Sequence, residues 1–188
     1  GFHMIITDMP EARLPEIDTL IDRGVSSYKM FMAYPGVLYA DDATHYRTYC
    51  KVGEVGGLVS LHAENGIVID EIIKKEVAKG HTEPLWHGLT RPARMAAEAV
   101  YRAAAIAEVA NVPLYIVHLD CVEAFEEIKR ARARGVDVKC ETCPQYLYFS
   151  LDDLAKPDFE GAKYVMSPPL RDKSGHEALW KGLATGEI

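Results

Sequence analysis

Hydrophobicity along this chain alternates between two periods, and that alternation limits its fold more than any other feature. Short β-branched or apolar runs, each followed by turn-formers or helix-capping residues, are separated by longer stretches whose apolar positions recur every three to four residues. The short runs at 26–31, 57–61, 113–117 and 136–140 are predicted strands, with a fifth short one at 163–166. Helices are predicted over 11–22, 42–55, 68–79, 91–110, 122–134 and 175–184. Such a chain pairs its strands in parallel through right-handed crossovers, which leaves an open doubly wound sheet or a (β/α)8 barrel. No Gly-rich phosphate turn follows the early strands, which weakens the dinucleotide-binding form of the open sheet. No composition shift, Ser/Gly linker or repeat divides the sequence, so it reads as one domain or part of one.

In a barrel, chemistry collects at the C-terminal ends of strands. The 57–61 run leads into His62-Ala63-Glu64-Asn65, the 113–117 run into His118-Leu119-Asp120, and the 26–31 run contains Lys29. One such histidine is more often a hydrogen-bonded structural residue than a ligand. Two at equivalent strand ends suit a borderline cation such as Zn²⁺, with a position left open for water whose pKa falls toward ~7. Lys29 lies within the apolar run Tyr28-Lys29-Met30-Phe31, where burial is costly unless the charge is paired or removed. Snorkelling or a salt bridge is one solution. The other is a neutral amine, a nucleophile that adds CO₂ to give a carbamate with two oxygens for two metals.

With 48% hydrophobic and 26% charged residues, the composition excludes fibrous and disordered classes. A net charge of −7 argues against a nucleic-acid partner. The basic run at 129–134, preceded by Glu126 and Glu127, reads as the solvated face and last turn of a helix. No apolar run approaches the ~20 residues of a membrane span and the start lacks a signal-peptide layout, so a cytoplasmic protein with no membrane partner is the default. Four scattered cysteines do not make a disulfide scaffold, and Cys140 and Cys143, spaced C-x-x-C at a strand end without a second pair, read as structural. His45 reads as a surface residue on the polar side of its helix. His81, Trp86 and His87 read as packing or oligomer-contact residues, His3 as structural, and His176 has no evident partner.

Five blocks carry a resemblance. Ser27-Tyr28-Lys29-Met30-Phe31-Met32-Ala33-Tyr34-Pro35-Gly36, His62-Ala63-Glu64-Asn65, Val117-His118-Leu119, Glu141-Thr142-Cys143-Pro144-Gln145-Tyr146 and Ser167-Pro168-Pro169-Leu170-Arg171 occur in an order and spacing similar to the dihydropyrimidinase/hydantoinase branch of the cyclic amidohydrolases. The spacing is 33 from Lys29 to His62 and 56 from His62 to His118.

The resemblance covers essentially the whole chain. It implies an amidohydrolase (β/α)8 barrel with two divalent metals, usually zinc, bridged by a carboxylated lysine matching Lys29. His62 and His118 match the histidines that hold the more buried metal. Tyr34 matches the tyrosine that hydrogen-bonds the substrate carbonyl and its developing oxyanion, a role suited to a phenol. Ser167 matches a serine whose backbone groups fix the cyclic diamide. Phe31 and Leu38 fall in the segment lining the pocket for the ring substituent, where the family often has Phe in place of Leu38. The expected reaction is hydrolysis of the ring C–N bond of a small cyclic amide, with full-length relatives assembling as tetramers.

Allantoinase- or dihydroorotase-like chemistry is the alternative within the enzymes. A metal-free scaffolding relative is the alternative outside them, and the retention of Lys29, His62 and His118 argues against it. The family's His-X-His pair and its final aspartate have no counterpart here. With no initiating Met and a length below the ~250 residues of a whole barrel, residues 1–188 are expected to be a central slice of βα units, lacking the first metal-binding strand, the C-terminal part and a β-sandwich domain. Such a slice is expected to be inactive by itself.

Overall fold

The structure is a computed structural model that describes all 188 residues. Its five strands are β1 (His3–Ile5), β2 (Ser27–Phe31), β3 (Leu58–His62), β4 (Leu114–Leu119) and β5 (Val138–Thr142). The helices are α1 (Pro15–Asp22), α2 (Asp42–Glu54), α3 (Gly66–Val77), α4 (Pro84–Leu89), α5 (Ala93–Ala110), α6 (Val122–Ala133), α7 (Gln145–Tyr148), α8 (Leu151–Leu154) and α9 (His176–Thr185). All strand pairs are parallel and the sheet order is β1-β2-β3-β4-β5. A doubly wound sheet reverses its order at a switch point, whereas a barrel wall adds strands in sequence. The sheet is therefore an arc of barrel wall.

Alternation along the strands separates core from site. On β2, Tyr28 and Met30 are fully buried on the helix side while Lys29 and Phe31 face the other way. Val59 and Leu61 of β3 and Leu114 and Ile116 of β4 continue the buried layer, each contributing about 1.5–3 kcal/mol of burial. Over them lies α5, whose inward face of Ala96, Ala99, Val100, Ala103, Ala104 and Ala107 is small enough to seat the helix close to the strands. Side-chain caps set two helix starts: Asp41 accepts from the Thr44 amide at 2.7 Å and Asn65 from the Val68 amide at 3.2 Å. The second cap moves the start of α3 to Gly66, ahead of the periodicity.

Two sequence expectations are corrected. Residues 163–166 form no strand, because Glu160–Tyr164 is a 3₁₀ turn whose i→i+3 bonds hold the segment and no neighbouring strand pairs with it. The fifth strand is β1. His45 is not on the surface but fully buried, on the inward face of α2 that it forms with Thr44, Thr48, Tyr49 and Val52. Burial pushes the His45 imidazole down to about 4, although the Phe31 carbonyl and Asp42 pull it up.

Because the unfolded imidazole keeps an ordinary pKa of 6.5, the unfolded chain binds more protons between pH 4 and 6.5. His45 thus contributes stability that is fully present above pH 6.5 and is lost as the pH falls toward 4. Replacing His45 with leucine is expected to flatten the loss of urea stability across that window; an unchanged slope would assign the acid sensitivity elsewhere. The basic run at 129–134 is neutralised locally. Lys129 pairs with Glu126, Arg130 with Glu127 and Arg134 with Glu108, while Arg132 donates to the Val138 and Glu187 carbonyls. No helix is long and apolar enough to cross a membrane.

Candidate active site

The β2–β3 register sets Phe31 beside His62, and their rings stack at 5.8 Å. Beyond β2 the chain turns sharply. Tyr34 has a φ of 64°, and its carbonyl accepts from the amides of Val37, Leu38 and Tyr39, each at 3.0–3.2 Å. Gly66 pins this turn from below: its amide donates to the Met32 carbonyl at 3.0 Å, and a Cβ there would sit 2.5 Å from Ala33 Cα. On β4 the ladder with β5 breaks between Ile116 and Leu119, and His118 takes a φ of 45°. Irregularities of this kind re-aim side chains, and positive φ at a non-glycine persists only where the surroundings enforce it.

The result is a compact cluster. His62 Nδ1 and His118 Nε2 lie 3.0 Å apart, with the Tyr34 ring 4.9 Å from the His62 ring and its hydroxyl 3.4 Å from His62 Nε2. Lys29 Nζ sits 5.0 Å from the Phe31 ring centre and is buried without a hydrogen-bond partner, as is His118 Nδ1. Burial pushes Lys29 down to about 8, against the pull of Glu141. Burial, reinforced by His62 and Lys29, pushes His118 down to about 3, so its ring is neutral at pH 7. Burial and the charge of Glu64 raise the Tyr34 phenol, with the Ser167 hydroxyl and Arg91 opposing.

Whether these residues suit a metal is a matter of geometry and donor type. No three His, Cys, Asp or Glu side chains form a ready-made cation site. Two imidazole nitrogens bound tetrahedrally to one Zn²⁺ at about 2.0–2.1 Å would lie about 3.3 Å apart, close to the separation of His62 Nδ1 and His118 Nε2. The third group beside them is an unpartnered lysine, which becomes an oxygen donor only after carboxylation. The residues fit a cation under that condition.

Of the residues singled out from sequence, Lys29, Phe31, Tyr34, His62 and His118 meet here. Ser167 lies at the edge, its hydroxyl 3.3 Å from His87 Nε2. Leu38 is half-buried in the Tyr34 turn and joins through its backbone. Several participants went unnoticed. Glu64 is buried with Oε2 2.7 Å from His62 Nε2. His87, read as a packing or oligomer-contact residue, lies behind Ser167 with Nε2 2.7 Å from the Met166 carbonyl, and accepts at Nδ1 from Arg91 at 3.0 Å. Arg171 Nε donates to Asp120 at 2.6 Å and its Nη1 to the Arg91 carbonyl, tying the segment after Ser167 to the end of β4. Glu64 and Arg171 stand inside the quoted blocks and Asp120 one residue beyond another; the signal was a charged residue two to four positions after each of His62, His118 and Ser167. Away from the site, His176 finds the Phe149 carbonyl at 3.0 Å, His81 stacks on Trp86, and all four cysteines are free.

No protein-family model matches the chain. A D-hydantoinase of Streptomyces coelicolor is 52% identical over 188 residues, the whole of this chain and 40% of that protein. The D-hydantoinase structure from Bacillus sp. AR9 superposes with a TM-score of 0.98 at 46% identity, covering 100% of this chain and 41% of that one. The dihydropyrimidinase structure from Brevibacillus agri NCHU1002 gives 0.98 at 45% identity, with coverage of 100% and 41%. A sequential parallel arc of this shape, with imidazoles at its strand ends and a lysine within one strand, is part of an amidohydrolase barrel. The chain belongs to the D-hydantoinase/dihydropyrimidinase family and spans about 40% of the length of the curated relatives it matches.

Proposed function

We propose that the protein acts in the metal-dependent hydrolysis of the ring C–N amide bond of dihydropyrimidines or hydantoins. The observation that carries this reading is the approach of His62 Nδ1 to His118 Nε2 at 3.0 Å beside the buried, unpartnered Lys29 amine. In this reading His62 and His118 hold one divalent cation, Zn²⁺ by the donor chemistry. Lys29, as the neutral amine, would add CO₂ with formation of an N–C bond and release of a proton, and its carbamate would supply oxygen donors to the cations. The family's remaining ligands to a second cation have no match in this sequence. When bound, the metal pair supplies a nucleophile at neutral pH and polarises the substrate carbonyl.

The chain's own residues orient the ring and stabilise its charge. Tyr34, its phenol held protonated by a raised pKa, donates to the carbonyl oxygen, and that bond strengthens as negative charge develops. Backbone groups at Ser167 hold the amide edge of the ring, while Phe31 and Leu38 border its substituent. Four free cysteines support a reducing, cytoplasmic setting; a homo-oligomer rests on the family resemblance. In the full-length protein, exchanging Tyr34 for phenylalanine is expected to lower kcat for dihydrouracil about 10²–10³-fold with metal content unchanged. A kcat within twofold of the parent would remove Tyr34 from this role.

A further inference from the structure

The proposed reading uses His62 but not the carboxylate two residues on. We infer that Glu64 is a positioning residue for His62: by accepting a hydrogen bond from Nε2 it sets the tautomer and tilt of the ring, leaving Nδ1 as the nitrogen that faces His118. Both side chains are 2% exposed, and Glu64 Oε2 lies 2.7 Å from His62 Nε2. With Glu64 Oε2 as the acceptor at 2.7 Å, a neutral His62 ring carries its hydrogen on Nε2 and its lone pair on Nδ1. Nδ1 is the nitrogen 3.0 Å from His118 Nε2. A second ring bond of this kind fixes which imidazole nitrogen is free to ligate.

Packing alone does not account for a carboxylate here. Glu64 Oε1 is buried with no partner, and the residue borders a small cavity of about 90 Å³ shared with Tyr34, Gly66, Ile69 and Arg91. A buried acid with one oxygen unsatisfied is costly. The local cost is thus tolerated for the sake of one bond, the one to His62. The neighbouring Asn65 is committed elsewhere, capping α3 and donating to Glu98 at 2.8 Å.

The inference rests on the proposed metal site, so the test separates the two. Zn²⁺ affinity is measured by chelator competition in the parent protein and in its Glu64→Ala, Glu64→Gln and His62→Ala variants. The tautomer of His62 is read from ¹⁵N NMR of the metal-free proteins. The expected results are loss of the site in His62→Ala and a 10–100-fold weaker affinity in Glu64→Ala. Glu64→Gln, whose amide oxygen still accepts from Nε2, should lose less. The parent should show one tautomer, protonated at Nε2, and Glu64→Ala a mixture.

Parent-like affinity and a single Nε2–H tautomer in Glu64→Ala, with the site lost in His62→Ala, would overturn the positioning role alone. Unchanged affinity in His62→Ala would overturn the metal reading. If Glu64→Ala does not fold, an Nδ1-protonated His62 in the parent is itself sufficient to overturn the inference.

Discussion

In the full-length protein, replacing Lys29 with methionine should abolish dihydrouracil hydrolysis while leaving the protein at least as stable as the parent. The two effects share one cause. Lys29 faces away from the core side of β2, yet its amine is buried without a partner, and burial has pushed it from 10.5 to about 8. Below pH 8 the folded state carries a cost of the order of 3 kcal/mol for holding that charge, and methionine removes it while keeping the length and apolar character of the stem.

Between pH 8 and 10.5 the unfolded chain binds more protons, so the stability of the metal-free, uncarboxylated protein should rise with pH there. The methionine variant should lack that rise. Losing the bridging group should cost more than the ~10–100-fold typical of an outer-shell partner. Turnover above a tenth of the parent rate would exclude Lys29 from the chemistry. A less stable variant would show that the amine is paired in solution.

Removal of the Asp120 carboxylate should have the largest effect on stability. Its Oδ2 accepts from Arg171 Nε at 2.6 Å, with side-chain exposures of 3% and 12%. Arg171 Nη1 bonds the Arg91 carbonyl and Nη2 has no partner. In Asp120→Ala the guanidinium stays buried and cannot shed its charge, which costs about 3–5 kcal/mol. The reverse deletion, Arg171→Met, is milder. Burial already raises the Asp120 carboxyl despite Arg171, so it can take a proton and become neutral. Urea unfolding of the two variants should show this asymmetry. Equal losses, or a loss below about 1 kcal/mol in Asp120→Ala, would mean that solvent reaches the pair. The same variant should raise KM, because Arg171 holds the segment carrying Ser167.

Four strands were legible because their runs are β-branched or apolar and bounded by turn-formers, and the histidines were legible because they end those runs. The segment 163–166 has only Tyr164, Val165 and Met166 as its apolar content, and three such residues suit a 3₁₀ turn as well as a strand. Only a neighbouring ladder decides between them. α2 misled for a related reason. Its buried face is largely Thr44, His45, Thr48 and Tyr49, so polarity pointed outward where packing points inward. At the site, Lys29, His62 and His118 announce themselves by position along single strands. His87, Arg91, Asp120 and Arg171 act through contacts between distant segments, such as the 80-residue separation of His87 and Ser167, and no local pattern encodes that meeting.

Diffraction data recorded at the zinc absorption edge, from protein prepared with Zn²⁺ and bicarbonate, test the metal assignment most directly. The expected result is an anomalous peak about 2.0–2.1 Å from both His62 Nδ1 and His118 Nε2, with carbamate density extending from Lys29 toward it. Zinc bound elsewhere, with His62 still hydrogen-bonded to His118 and Lys29 unmodified, would contradict the assignment.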